Sequence, residues 1–471
     1  MMIRFLGLLL YAAICQQAAA WPMYIDLNIG EDHHITLQDR YGEKHTCKLK
    51  LVSIDHEYTP NYWHRIPKEY QAKHLKSARL SLEVNGRKVE LIKRPYQSPI
   101  SVDGFRLYIE DTKRWAKEAS FLAIENFPKD ARIAVALDNE SWGPSDMLFP
   151  IRSYRWGSSP YQNTWGSLVP YNSLYYHRGE DFGAIPDQLE VQAILEGTVM
   201  ETPLPKGDGK SNAIVVRHDA DFTYRVSHVN TTTVQKNIQQ DVHIEDGEIL
   251  AKTGNTYRRP GAQHRDPHLH IDFTYKGRPV STFPFLIEAY FRDYPENLIA
   301  ISGSYAYTMP GEEVELDATR SIVRIGHRIV DYTWKLHDGQ IVNQAKHKLR
   351  YSRPGLYTEE LIVRTDDGSE DRNFLQVRVF DHQNNESLAY GWAYHTPVRG
   401  LRPGQTVRFW NRLTGIKGDV LLDTGDGSSA KTIEKEYEYQ YSNPGTYTAT
   451  FSGRGTDGHA VTVKMKIVVE E

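Results

Sequence analysis

The sequence predicts an all-β protein of several domains, and three observations carry that expectation. Apolar–polar alternations with a period of two recur along the chain, separated by Asn-Gly, Asp-Gly and Pro-Gly pairs that turn or start strands. The 471 residues include 29 Tyr, 34 Gly and 23 Pro, a composition that suits strands joined by many turns. The C-terminal third also repeats itself at a period of about ninety residues. A chain of this length exceeds what one hydrophobic core serves, so three or four domains are expected. A net charge of −4 gives no global field for nucleic acid or an anionic membrane, and neither is expected as a partner.

Residues 1–20 read as an export signal. Arg4 opens the segment, an apolar stretch runs from Phe5 to Ile14, and Ala18-Ala19-Ala20 precedes Trp21. That stretch is shorter than the ~20 residues needed to span a bilayer, so no transmembrane helix is expected. Ile14 before Cys15 argues against lipid attachment. Cleavage near Ala20 would leave Cys47 as the sole cysteine, with no intrachain disulfide. An exported chain without covalent staples points to a bacterial periplasm, cell surface or exterior. The sequons at Asn139, Asn230 and Asn385 are read as chance matches.

Residues 21–150 read as a β-rich N-terminal domain of unassigned role. Ile35-Thr36-Leu37 and Lys48-Leu49-Lys50-Leu51 alternate around Tyr41-Gly42-Glu43-Lys44. Leu80 to Val84 and Arg87 to Leu91 flank Asn85-Gly86, the strongest hairpin signal in the chain. Asp111 to Phe121 is the one good helix candidate there. His64 to Lys76 is expected as a solvated loop or short helix.

Between 151 and 297 the informative residues are His177-x-x-x-Asp181, His228 and His268-Leu269-His270. Pro267 to Phe273 reads as a strand, so His268 and His270 share one face while Leu269 and Ile271 share the other. Two imidazoles on one strand face, with a His/Asp pair elsewhere, can supply three N/O ligands to zinc and leave histidines for acid–base work. His218, His243 and His264 are expected in solvent, and Gly207-Asp208-Gly209-Lys210 lacks the strand–helix context of a phosphate loop.

In order and spacing, these residues resemble the lysostaphin-like, or LytM-type, zinc endopeptidases. The resemblance covers roughly residues 160–275. It includes Tyr176-His177-Arg178-Gly179-Glu180-Asp181-Phe182, Ala213 to His218, Tyr224 to His228, Glu245 to Gly254 and the closing His268-Leu269-His270. It implies an antiparallel-sheet peptidase domain holding one zinc per chain on His177, Asp181 and His270. His228 and His268 would be the catalytic acid–base pair, and peptidoglycan stem peptides or cross-bridges the substrate. No HExxH motif is present to place a glutamate base, which agrees with a two-histidine scheme. Where the family commonly has an aromatic two residues before the lone histidine, this chain has Val226. Tyr224, on the same face by alternation, is the candidate to replace it.

The repeat occupies residues 298–382 and 383–471. The first copy carries Pro310-Gly311, Tyr332-Thr333-Trp334, Asp338-Gly339, Pro354-Gly355-Leu356-Tyr357 and Asp367-Gly368. The second carries Pro403-Gly404, Gly425-Asp426-Gly427, Pro444-Gly445-Thr446-Tyr447 and Asp457-Gly458. Both resemble PKD-type (Ig-like) β-sandwiches, which implies spacers or candidate polymer- or surface-binding modules, folded independently of the enzyme. Two other functions fit the same residues: a secreted zinc protease for Gly-rich proteins such as elastin or collagen, and a non-catalytic envelope-binding or activator protein.

Overall fold

The computed structural model describes residues 21–59, 74–118, 127–170, 174–205, 207, 211–254, 266–303, 305–380 and 389–471. The expected signal 1–20, His264 and Asn385 lie outside them, as does most of 64–76. His74 to Lys76 is described and opens a strand, not a loop or helix. Strands take 53% of the described residues and helices 4%, which makes the fold all-β. No helix among the described residues is long and apolar enough to cross a membrane.

The N-terminal region forms two four-stranded antiparallel sheets. One runs Met23–Leu27, Ala131–Leu137, Phe105–Thr112, Ile100–Val102; the other runs Asp32–Gln38, Lys44–Thr59, His74–Val84, Arg87–Lys93. Asn85 (φ 51°) and Gly86 (φ 82°) make the tight turn that pairs Val84 with Arg87. The helix expected over Asp111–Phe121 starts at Lys113, because Asp111 and Thr112 end a strand. The Thr112 hydroxyl caps it by accepting from the Trp115 N–H at 3.2 Å.

An antiparallel sheet of eight strands makes the centre. Its order is His243–Ile244, Gly197–Glu201, Ile214–Arg217, Phe222–Ser227, His268–Tyr275, Glu180–Gly183, Gln162–Asn163, with Arg278–Val280 also paired to His268–Tyr275. A second helix, Phe283–Asp293, buries Phe283, Phe285, Leu286, Ile287, Ala289 and Tyr290. Its Phe-Pro-Phe-Leu-Ile run reads as a strand by composition, which is why the sequence does not announce it. The core beneath this sheet continues across residue 150: Tyr96, Tyr108, Trp142 and Phe149 pack with Phe182, Tyr224, Leu269 and Tyr290.

The two C-terminal repeats share one sheet. Ala306–Thr308, Glu370–Val379 and Gly355–Thr365 join Ala460–Val469, Gly445–Arg454, Val420–Asp423 and Lys431–Ile433 through a parallel pairing of Gly355 with Ala460 and Leu356 with Val461. Gly355 (φ 157°) allows that approach, since a Cβ there would lie 2.8 Å from the Ala460 carbonyl oxygen.

The repeats, expected as independently folded modules, make side-chain contacts with the rest of the molecule. Arg155 pairs with Glu296 at 2.7 Å and with Glu470 at 2.6 Å. Lys466, buried at 3% side-chain exposure, donates to the Trp156 carbonyl at 2.8 Å and pairs with Asp371 at 2.6 Å. Arg94 reaches Asp317 at 2.6 Å, tying the N-terminal region to the first repeat.

Candidate active site

All five residues singled out in the sequence converge on one face of the central sheet. The ladder sets this up: Asp181 lies opposite His270, and Ser227 opposite His270 on the other side. Leu269, Ile271 and Phe273 point into the core at 0% exposure, so the alternate positions His268 and His270 face the cluster. His177 Nε2, Asp181 Oδ1 and His270 Nδ1 stand 3.1, 3.2 and 2.8 Å from one another.

Each of these donors is oriented by a partner. His177 Nδ1 donates to the Gly179 carbonyl at 3.0 Å, which leaves Nε2 as its basic nitrogen. His270 Nε2 faces Asp272 at 3.2 Å, and Arg225 holds Asp272 at 2.7 Å, which leaves Nδ1 for the cluster. Asp181 Oδ2 accepts from Asn163 Nδ2 at 2.8 Å and from the Tyr161 hydroxyl at 3.4 Å. Burial alone would raise the Asp181 carboxyl, but the His177 and His268 imidazoles overcome it and hold it well below the usual carboxylate range. The neighbouring Glu180 points the other way, onto the Thr164 and Thr282 hydroxyls at 2.5 and 3.3 Å, and burial pushes its carboxyl up.

His228 enters by a backbone device. Phe222, Tyr224 and Val226 all point into the core at 0% exposure, and simple alternation would send His228 after them. A left-handed conformation at His228 (φ 64°) ends the strand and turns the ring back toward the cluster. Its ring centroid lies 4.7 Å from that of His268. His268 Nδ1 donates to the Asp266 carbonyl at 2.6 Å, and its Nε2 lies 3.6 Å from Asp181 Oδ1.

The same geometry removes Tyr224 from the site. It is fully buried in the core and gives its hydroxyl to the Leu195 carbonyl at 2.9 Å. The aromatic beside the cluster is Tyr161, with its ring 4.8 Å from His268. It precedes a two-residue strand, too short to leave a pattern in the sequence. Tyr305 of the first repeat and Trp392 of the second pack behind Tyr161 at 6.3 and 5.1 Å, and the Tyr305 hydroxyl accepts from the Gln162 N–H at 3.1 Å. The C-terminal repeats therefore reach the second layer of this cluster.

Residues 175–282, which contain the whole cluster, match the model of peptidase family M23. This segment is an M23 peptidase domain. Residues 299–379 match the PKD domain model. Among solved structures, the chain is similar to a zinc containing peptidase from Vibrio cholerae, at 13% identity over 54% of this chain and 85% of that one, TM-score 0.24. It is also similar to a putative glycyl-glycine endopeptidase LytM from Ruminococcus gnavus, at 18% identity over 31% and 61%, TM-score 0.24. The catalytic domain of the prophage-encoded M23 protein EnpA from Enterococcus faecalis aligns at 14% identity over 29% and 95%, TM-score 0.21. The M23 domain thus carries a His/Asp/His set whose donor atoms could hold a metal ion.

Proposed function

We propose that the chain is an exported zinc metalloendopeptidase that hydrolyses peptide bonds in peptidoglycan stem peptides or cross-bridges. The observation that carries this reading is the donor set. Tetrahedral zinc with bonds of about 2.0–2.2 Å spaces its ligand atoms by roughly 3.3 Å. The three donor atoms at 2.8–3.2 Å are close to that spacing, and each histidine has its other ring nitrogen occupied. His177, Asp181 and His270 would hold one zinc per chain. When bound, zinc supplies a Lewis acid that polarises the scissile carbonyl and lowers the pKa of water.

The chain's own residues then manage the protons. His268, with Nδ1–H fixed on Asp266, offers Nε2 as the base that takes a proton from the attacking water. His228, across the same cluster, stabilises the carbonyl oxygen as it gains charge. The proton held at His268 passes to the leaving nitrogen as the C–N bond breaks, leaving a carboxylate and an amine. The PKD-type repeats would serve as polymer- or surface-binding modules.

Incubation with purified sacculi, with elastin and collagen in parallel, tests the reading by mass spectrometry of released peptides. Wall-derived peptides bearing new amino termini are expected, and none from His268→Ala. Release from elastin or collagen alone would transfer the activity to Gly-rich proteins. No cleavage by a zinc-loaded wild-type chain would leave a binding protein.

A further inference from the structure

The N-terminal region grips the M23 domain at one informative place. His177 sits between Tyr176 and Arg178 in an extended stretch, where residues i−1 and i+1 share the face opposite to residue i. Both neighbours point into the N-terminal region. Tyr176, 3% exposed, belongs to the core of that region, with its ring 5.2 Å from Trp115 and its hydroxyl donating to the Leu75 carbonyl at 3.2 Å. Arg178 Nη1 pairs at 2.7 Å with Asp111, a carboxylate 1% exposed, while its guanidinium lies 4.4 Å from the centre of the Trp165 ring.

We infer that residues 21–150 act as a positioning clamp for the metal-ligand loop, fixing His177 through Tyr176 and through the Asp111–Arg178 pair. The loop has no slack to find its geometry otherwise. Gly179 (φ 127°) is pressed so closely against the sheet that a Cβ would lie 2.4 Å from the Ile271 carbonyl oxygen and 2.8 Å from His270 Cε1. The His177 N–H is also tied to the Ser167 carbonyl at 2.7 Å. Asp111 and Tyr176 are positioning residues: they touch neither substrate nor metal and act through the placement of one imidazole. The N-terminal region is then part of the machinery that makes the site, not an add-on that recruits or inhibits.

The test uses the full chain and two readouts, of which the metal one rests on the zinc reading above. Zinc affinity is measured by chelator competition for wild type, Asp111→Asn, Arg178→Gln and the double variant, beside thermal melting of each. Each single variant is expected to lose 10–100-fold in zinc affinity, the usual scale for groups that orient a ligand. The double should lose no more than the worse single, because the two act as one unit. Asp111→Glu, which keeps the carboxylate, should recover part of the loss. A merely structural pair would lower the melting temperature while zinc affinity stayed within two-fold of wild type, and that outcome overturns the inference. Should Asp111→Asn fail to fold, Tyr176→Phe decides by the same two-fold criterion. The second readout needs no metal: imidazole NMR of the metal-free chain should show the His177 signals broadened or split in Asp111→Asn, with those of His218 unchanged. A wild-type chain that takes up no zinc sinks the proposed function, and the His177 signals still decide the clamp.

Discussion

A left-handed residue at the end of a strand is costly, and His228 shows what it can achieve here. The turn separates the imidazole from Tyr224 and Val226 and aims it at His268. Alternation alone therefore misplaces Tyr224, whereas the HLH pair obeys alternation and was legible from spacing. His228→Ala and His268→Ala are expected to keep zinc and the fold while losing roughly 10²–10⁴-fold in kcat, the scale of a positioned acid–base group. Near wild-type turnover by either zinc-loaded variant would remove that residue from the mechanism. Gly179 makes a sharper case. Gly179→Ala must push the Ile271 carbonyl or the His270 ring aside, so zinc retention and activity should fall together. Metal analysis at full occupancy would contradict this.

Elements were legible where one local rule decided them. The Asn85-Gly86 hairpin and the His268–Tyr275 strand follow from turn chemistry and a period of two. The Phe283–Asp293 helix does not, because it opens on a continuous apolar run, Phe283 to Ile287, and only Glu288 and Arg292, one turn apart, mark its polar face. Its Glu288 pairs with Arg106 and accepts from the Trp142 N–H at 2.7 Å, contacts across more than a hundred residues that no window of sequence contains. Between elements, Asp317 gives a pH-dependent expectation. Burial would raise its carboxyl, but hydrogen bonds from Thr319 and the charges of Arg320 and Arg94 hold it far below the usual range. A carboxyl lowered on folding contributes stability above its unfolded pKa of about 3.9, lost as pH falls through the folded value. The melting temperature should therefore drop on acidification below about pH 4. Asp317→Asn should be less stable at neutral pH and lose less on acidification; an unchanged acid slope would mean another group carries the effect.

At the scale of the whole molecule, what the sequence concealed is how the parts are joined. The repeats can be read from their Pro-Gly and Asp-Gly landmarks, but Lys466 on Trp156, Arg155 on Glu470 and Trp392 behind Tyr161 depend on the assembled surface. Removing everything beyond residue 297 would strand Arg155 without Glu470 and expose the Tyr161 face. Such a truncation is expected to melt at lower temperature and to cleave even small soluble peptides poorly. Full activity on such peptides would show that the repeats are mere appendages. Trp392→Ala is the milder probe: a small displacement of Tyr161 beside His268 should cost roughly 10–100-fold in kcat, with zinc content unchanged.

The parallel pairing of Gly355 with Ala460 bears on the reach expected of the proposed enzyme. Two sandwiches joined by a flexible linker would behave as a leash, letting the catalytic cluster search a volume that grows with linker length. Here the repeats pair edge to edge, and Lys466 on the Trp156 carbonyl and Arg155 on Glu470 tie them to the segment that leads into the M23 domain, so the molecule is expected to act as a ruler. Docking of the repeats on a polymer would present His177, Asp181 and His270 to bonds at one fixed standoff. Cuts would then be spaced by the shape of the protein, a pattern that a leash would blur.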